Sequence, residues 1–338
     1  MGLSRAFNRR VAVAAVVMAL ALAGSAAAQA PQSVFAPAGP VARMQRDLLV
    51  TALSILIPIF IVVGGGFLYA VIRFRSRPGD GIPPQTHGSV RLEVIWTVVP
   101  ILLLIILAVP TVKQIFALNN VPEGAIEVRA VGYQWWWSFD YPEQEITTAN
   151  EMRIPVGRPV KLTLTSNDVI HSFWVPRLAG KMDVIPGREN VMWLQADEPG
   201  IYYGQCAEYC GTSHANMRFR VVALPEEEYD AWIASRQAVA AVAPADALAQ
   251  RGHDLFVNGT CAACHTVAGT SAQGKVGPDL TDFGSRTSLA AGMLENTPEN
   301  LRAWLRNPQA VKPGARMPNL GLSDADINAL VAFLTSLE

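Results

Sequence analysis

Charge is thinly spread in this 338-residue chain: 16% of positions are Asp, Glu, Lys or Arg, and 27 basic residues against 28 acidic ones leave a net charge of −1. A near-neutral chain lacks the positive field that a phosphate backbone selects, which excludes nucleic acid as a partner. Cysteine is equally sparse. All four fall in two close pairs, Cys206/Cys210 and Cys261/Cys264, so none is left for a structural disulfide and a disulfide-stapled scaffold is excluded. Of the five histidines, His171, His214 and His265 belong with those pairs. The excess is apolar, 51% of residues, which points to membrane segments, and the length suggests about two domains.

Residues 1–28 carry an Arg5/Arg9/Arg10 head, an apolar run over 11–22 and a small-residue exit at Ala26-Ala27-Ala28. That run is shorter than the roughly 20 apolar residues a bilayer span needs, so it reads as a secretory signal cleaved near Ala28. Residues 48–72 and 94–112 contain no charged side chain. At about 1.5 Å per residue each is long enough to cross the hydrocarbon core. They predict a hairpin of two spans, at about 48–72 and 94–116. Between them Arg73, Arg75, Arg77 and Arg91 outnumber Asp80 and Glu93, and a basic loop stays cytoplasmic, so both ends of the mature chain fall in the periplasm. Pro58, Pro100 and Pro110 are tolerable inside spans whose neighbours re-satisfy the backbone.

The densest chemistry lies in Gly204-Gln-Cys-Ala-Glu-Tyr-Cys-Gly-Thr-Ser-His-Ala-Asn-Met217, with a second imidazole at His171-Ser-Phe-Trp. Thiolate, thioether and imidazole donors together select soft transition metals. Two cysteines alone in an exported domain would read as a disulfide. His214 and Met217 at fixed offsets, with His171 upstream, argue against that, and a single zinc would leave Met217 unexplained and do no redox chemistry. Two thiolates, two imidazoles and a thioether exceed the needs of one four-coordinate ion, which suggests a pair of metals bridged by Cys206 and Cys210. The loop, in the form C-A-E-Y-C-G-x-x-H-x-x-M, resembles the dinuclear CuA loop of cytochrome c oxidase subunit II. The resemblance implies that His171, Cys206, Glu208, Cys210, His214 and Met217 hold the copper pair, Glu208 through its carbonyl. It also implies that the Glu208 side chain, with Asp183 nearby, helps hold a magnesium or manganese ion at a subunit interface.

From Ile126 the pattern turns to short β-branched and aromatic runs over 126–131, 159–164, 190–194, 200–203 and 218–222, the signature of an all-β sandwich or barrel. The family implies a cupredoxin-like barrel whose metal loop joins the last two strands, with His171 ending an earlier one. Tyr133-Gln-Trp-Trp-Trp-Ser-Phe139 is an aromatic run in which Trp136 and Trp137 would face opposite sides of a strand, at least one of them in the core. The resemblance assigns the Trp after Gln, Trp135, to electron input. Leu92-Glu93-Val-Ile-Trp-Thr97 resembles the start of the family's second helix, where the matching Glu lies at the mouth of a proton path; from the residues alone Glu93 is equally a helix-start carboxylate favoured by the dipole.

Cys261-Ala-Ala-Cys264-His265 is a c-type haem attachment motif, two thioethers and an axial imidazole. The sixth ligand is expected to be Met317 of Arg316-Met317-Pro318, with Met293 as the rival; the family's M-P position favours Met317, and a Met/His pair raises the haem potential. Gly277-Pro278 resembles the segment whose proline carbonyl holds the haem histidine. Ser323-x-x-Asp326 opens a final capped helix.

The expected organisation is multidomain: signal 1–28, N-terminal segment and transmembrane hairpin 29–118, cupredoxin CuA domain 119–224, helix and tether 225–246, and an all-α class I cytochrome c domain 247–338. The match points to subunit II of a caa-type oxidase in a bacterial inner membrane, multi-pass with two spans. It implies catalytic subunit I and subunit III as partners, and cytochrome c or a quinol:cytochrome c reductase as donor. A quinol oxidase relative would lack the copper ligands, and a soluble-type CuA protein would lack the paired spans.

Overall fold

The computed structural model describes residues 30–337 except 77, 80, 83, 84, 86, 239–243 and 245. The expected signal, and most of the tether expected at 238–245, lie outside the described residues.

Two helices, α1 (Pro40–Arg73) and α2 (Val90–Asn119), each carry an 18-residue window of mean hydropathy 2.6 or more with no residue of it buried. Each extends up to about two turns beyond its charge-free stretch. Apolar side chains left bare over that length belong in lipid or against a partner. Glu93 sits in the first turn of α2, exposed, with Thr97 donating to its carbonyl. Lower down, the Gln114 amide donates to the Met44 carbonyl and ties the helices at one end.

The β domain is a sandwich of two five-stranded sheets. One holds β3 (Ile146–Ala149), β2 (Trp136–Tyr141), β1 (Ile126–Tyr133), β5 (Val160–Ser166) and β8 (Asn190–Leu194) in that order. The other holds β4 (Glu151–Pro155), β10 (Arg218–Leu224), β9 (Gly200–Cys206), β6 (His171–Trp174) and β7 (Met182–Val184). Alternation does the sorting: Val128, Ala130, Leu162 and Leu164 of one sheet and Phe219 and Val221 of the other are fully buried, their neighbours less so. Trp137, Phe173 and Phe219 fill the centre, with ring centroids 4.6–5.7 Å apart. Gly204 is required there, since a Cβ on it would lie 2.2 Å from the Phe219 ring.

His171 opens β6 and does not close a strand. The residues before it take their backbone partners from side chains: Asp168 N–H donates to Ser166 Oγ, and Val169 N–H to the Asp168 carboxylate. Such local bonds compete with a ladder, so pairing begins only at His171. Three strands escaped the sequence reading, β3, β4 and β7, with only three to five residues each.

Helix α3 (Glu226–Gln237) starts after Pro225 with Glu226, Glu227 and Glu228 in its first turn, and lays Trp232 against Tyr141. The C-terminal domain is helical: α4 (Ala247–Asn258), α5 (Pro298–Arg306), α6 (Pro308–Val311) and α7 (Asp324–Thr335) surround Phe256, Leu301, Leu305, Leu330 and Phe333. Asp246, Thr297 and Ser323 cap α4, α5 and α7.

The two folds share a polar seam. Buried Glu151 accepts from Thr287 N–H at 3.0 Å, Thr287 Oγ1 at 2.7 Å and Ser288 Oγ at 2.7 Å. Thr148 donates to Asp282, itself ion-paired with Arg286. Arg153 reaches the carbonyl and hydroxyl of Ser285.

Helices α4 and α7 cross at Gly252, where a Cβ would meet the Ala329 carbonyl oxygen at 2.0 Å. Backbone cannot swing aside as a side chain would. Gly252→Ala is therefore expected to destabilise the C-terminal domain by about 1–3 kcal/mol, measured by denaturant unfolding of the full chain; an unchanged midpoint would contradict the close crossing.

Candidate functional site

Strands β9 and β10 pair up to Gln205↔Arg218, and Cys206 N–H closes the intervening loop on the Met217 carbonyl at 2.9 Å. Held at both ends, the loop turns its donors inward. Cys206 and Cys210 place their sulfurs 3.8 Å apart, far beyond a disulfide bond of about 2.05 Å. Cys206 Sγ lies 3.9 Å from His171 Nδ1 and 3.2 Å from the Glu208 carbonyl oxygen. Cys210 Sγ lies 3.7 Å from His214 Nδ1 and 3.8 Å from Met217 Sδ. Each sulfur thus has its own imidazole and its own weak donor. A tetrahedral edge is about 1.6 times the bond length, or roughly 3.8 Å for a metal–sulfur bond of about 2.3 Å. The donor separations fit soft metal, and the twofold pattern fits a bridged pair.

The thiols titrate as a unit. Cys210 donates to Cys206, which holds Cys206 as a thiolate, down to about 3, while that neighbouring charge and burial push Cys210 well above an ordinary thiol. A metal cation bound there would displace the second proton.

His171 is fully buried, and Gly132 makes room for it: a Cβ there would come within 2.8 Å of its ring. Its Nε2 meets the Asp168 carboxylate at 2.9 Å, leaving Nδ1 to the sulfurs. Burial works against a charged imidazole, but Asp168 and Cys206 outweigh it and raise His171. Burial likewise opposes the Asp168 carboxylate, yet hydrogen bonds from His171 and from the Gln134 and Val169 N–H groups hold it below the ordinary range. Sequence reasoning passed over Asp168; its signal was an acidic residue three positions before His171.

Trp137 is buried, and Trp136 stacks on Tyr133 at 4.3 Å. Trp135 lies in the turn between β1 and β2, so it belongs to neither face. Its indole N–H donates to the Cys210 carbonyl at 3.1 Å, and the Gln134 amide donates to the same oxygen at 2.7 Å. Its ring is flanked by Gly211 of the loop and Gly314 of the helical domain, where added Cβ atoms would lie 3.0 and 3.1 Å away.

The helical domain holds a pocket of about 1340 Å³, counting the space at its mouth. Cys261, Cys264, His265 and Met317 line it, with Phe256, Leu280, Leu301 and Leu330 as apolar wall and Tyr133, Trp135 and Trp136 of the sandwich closing one side. Met293 does not line it. His265 Nδ1 donates to the Pro278 carbonyl at 2.8 Å, which fixes the tautomer and leaves Nε2 for a metal. Gly277 allows that approach, since a Cβ would come within 2.7 Å of the imidazole. Two thiols, an oriented imidazole, a thioether and an apolar slot fit a covalently held haem.

Lys312, Pro313 and Arg316 of this domain bind the sandwich. Lys312, 3% exposed, donates to the Trp135 carbonyl at 2.6 Å and to the Ala290 carbonyl at 3.2 Å. Burial brings it down to about 7. Pro313 accepts from Ser213, and Arg316 donates to Gln134 at 2.8 Å and pairs with Asp168 at 3.5 Å. Nothing in the sequence marked Lys312, which reads there as a surface charge.

Asp183 and Glu208 are not brought into a group of three metal-binding side chains; among the described residues His171, Cys206 and Cys210 form that group. Asp183 lies on β7, where Asn190 holds its carbonyl.

Three stretches match family descriptions: "Cytochrome C oxidase subunit II, transmembrane domain" over residues 28–114, "Cytochrome C oxidase subunit II, periplasmic domain" over 144–224, and "Cytochrome c" over 249–338. The chain is 43% identical over 310 residues to cytochrome c oxidase subunit 2 of Alkalihalophilus pseudofirmus, covering 89% of this chain and 90% of that protein. It is 38% identical over 215 residues to quinol oxidase subunit 2 of Bacillus cereus, covering 62% of this chain and 74% of the other. Among solved structures, the periplasmic domain of the cytochrome oxidase subunit II of Bradyrhizobium japonicum is 33% identical, with a TM-score of 0.34, over 35% of this chain and 97% of that one.

Removing the carboxylate behind a metal-bound histidine costs about 10–100-fold in metal affinity. Asp168→Ala is expected to weaken copper binding by that factor and leave the haem spectrum unchanged, read by competition titration with a copper chelator.

Proposed function

Because this chain belongs to the cytochrome c oxidase subunit II family, an inner-membrane component of an oxidoreductase complex, we propose that it is the electron-input subunit of a caa-type oxidase with its cytochrome c donor fused in. The haem and the copper pair, when bound, supply one-electron redox chemistry. Cys261 and Cys264 would hold the haem covalently, and His265 and Met317 would be the donors to its iron. Cys206, Cys210, His171 and His214 would hold the copper pair, with Met217 and the Glu208 carbonyl as weak donors. A soluble cytochrome c or a quinol-oxidising complex reduces the haem, and the electron leaves through the copper domain to catalytic subunit I, with subunit III alongside. There oxygen is reduced to water and protons are moved across the membrane. Both termini are periplasmic in this reading, Glu93 lies at the mouth of a proton path, and Asp183 with the Glu208 side chain contributes to a magnesium or manganese site completed by the partner.

The observation that carries the reading is the position of Trp135. Its indole is bonded to the carbonyl of a bridging cysteine and its ring packs on Gly314, three residues before Met317, so one side chain touches both redox folds. A docked donor needs no diffusional encounter, and its effective concentration is of order millimolar or more.

Cys210→Ser is expected to abolish the mixed-valence copper signal and leave the haem spectrum intact in the purified full chain. Loss of both signals would count against separate folds. Met317→His should keep the haem attached and lower its potential; if Met293 substitutions do so instead, the axial assignment falls. A chain with haem but without copper would point toward the quinol oxidase branch.

A further inference from the structure

A lysine ammonium carries three protons, and Lys312 spends two on the carbonyls of Trp135 and Ala290. Among the described residues no carboxylate lies within 4.0 Å of it. An enclosed charge that meets only neutral dipoles is costly to keep. The same side chain lines the haem pocket. Two other cations line it, and both are engaged elsewhere: Arg286 is paired with Asp282 and bonded to the Asp279 carbonyl, and Arg316 is tied to Gln134 and Asp168 at the surface. A c-type haem brings two propionate carboxylates into such a pocket.

We infer that Lys312 binds a propionate of the haem, so that the prosthetic group itself completes the joint between the helical domain and the copper domain. This rests on the reading that the pocket holds a covalent haem. Lys312 then acts as a positioning residue. One proton meets the propionate, one the Trp135 carbonyl, and the chain of bonds continues through the Trp135 indole N–H to the carbonyl of Cys210. The carboxylate supplies the countercharge that the protein withholds, and charge-assisted bonds are about twice as strong as neutral ones. Two consequences follow. The turn bearing Trp135 is held more firmly when haem is attached. The lysine charge also compensates a propionate, which favours the reduced haem.

The test uses the full-length chain in its complex. Potentiometric titration of the haem is compared in wild type, Lys312→Met and Lys312→Arg, and hydrogen exchange is followed over 133–137 in wild type and in a haem-free Cys261→Ala/Cys264→Ala chain. Lys312→Met is expected to lower the haem potential with its absorption spectrum and the copper signal unchanged, and Lys312→Arg to restore most of it. The haem-free chain should exchange the Trp135 turn about tenfold faster, as expected for one lost charge-assisted bond. An unchanged potential in Lys312→Met, no recovery in Lys312→Arg, or equal protection with and without haem would overturn the inference. The exchange comparison needs no Lys312 variant, so it stands even if Lys312→Met does not accumulate. All of these are read on haem and backbone; a missing copper signal would defeat the wider functional reading and leave this joint measurable.

Discussion

Two sulfurs fixed 3.8 Å apart in a buried loop cannot both be thiolates unless a cation shares their charge. Much of the molecule serves to keep them there. The β9/β10 pairing closes the loop at its base, Gly132 and Gly204 make room for His171 and Phe219, and Asp168 aims the imidazole. The sandwich is rigid because its centre is aromatic and interlocked, and rigidity matters for a redox site: ligands that hardly move when charge changes leave little to reorganise. Met217 and His171 are fully buried, so water does not compete for their positions.

The seam between the two folds has a different character. It includes polar contacts of Glu151, Thr148, Arg153, Arg286 and Lys312. Polar joints of this kind fix orientation more than they add affinity, because every unmet partner is penalised. The orientation they fix puts Tyr133, Trp135 and Trp136 in the wall of the haem pocket and brings the copper loop against the same Trp135 indole.

The parts legible in the sequence were those whose chemistry is local. The C-x-x-x-C and C-x-x-C-H motifs, His214 and Met217 at fixed offsets and the Ser323 cap each occupy a short stretch, and the charge-free spans are continuous runs; the structure groups Cys206, Cys210, His214 and Met217, caps the last helix at Ser323 and makes both runs helical. Trp137 in the core followed from strand alternation. Short strands such as β3 and β7 were not legible, because three or four residues carry too little pattern. His171 was expected at a strand's end and stands at a strand's beginning, since Ser166 and Asp168 capture the backbone before it. Asp168, Lys312 and Arg316 gain their meaning only across the tertiary fold: Lys312 and Trp135 are 177 positions apart. No window along the chain could have joined them.

The closing of the haem pocket by side chains of the sandwich ties two folds to one cavity. Tyr133, Trp135 and Trp136 wall a slot whose other side chains belong to the helical domain, so a substitution in or beside the β1/β2 turn changes the room left for a porphyrin as surely as one in the helices. The two walls are therefore constrained to vary together: a larger side chain on one calls for a smaller one on the other.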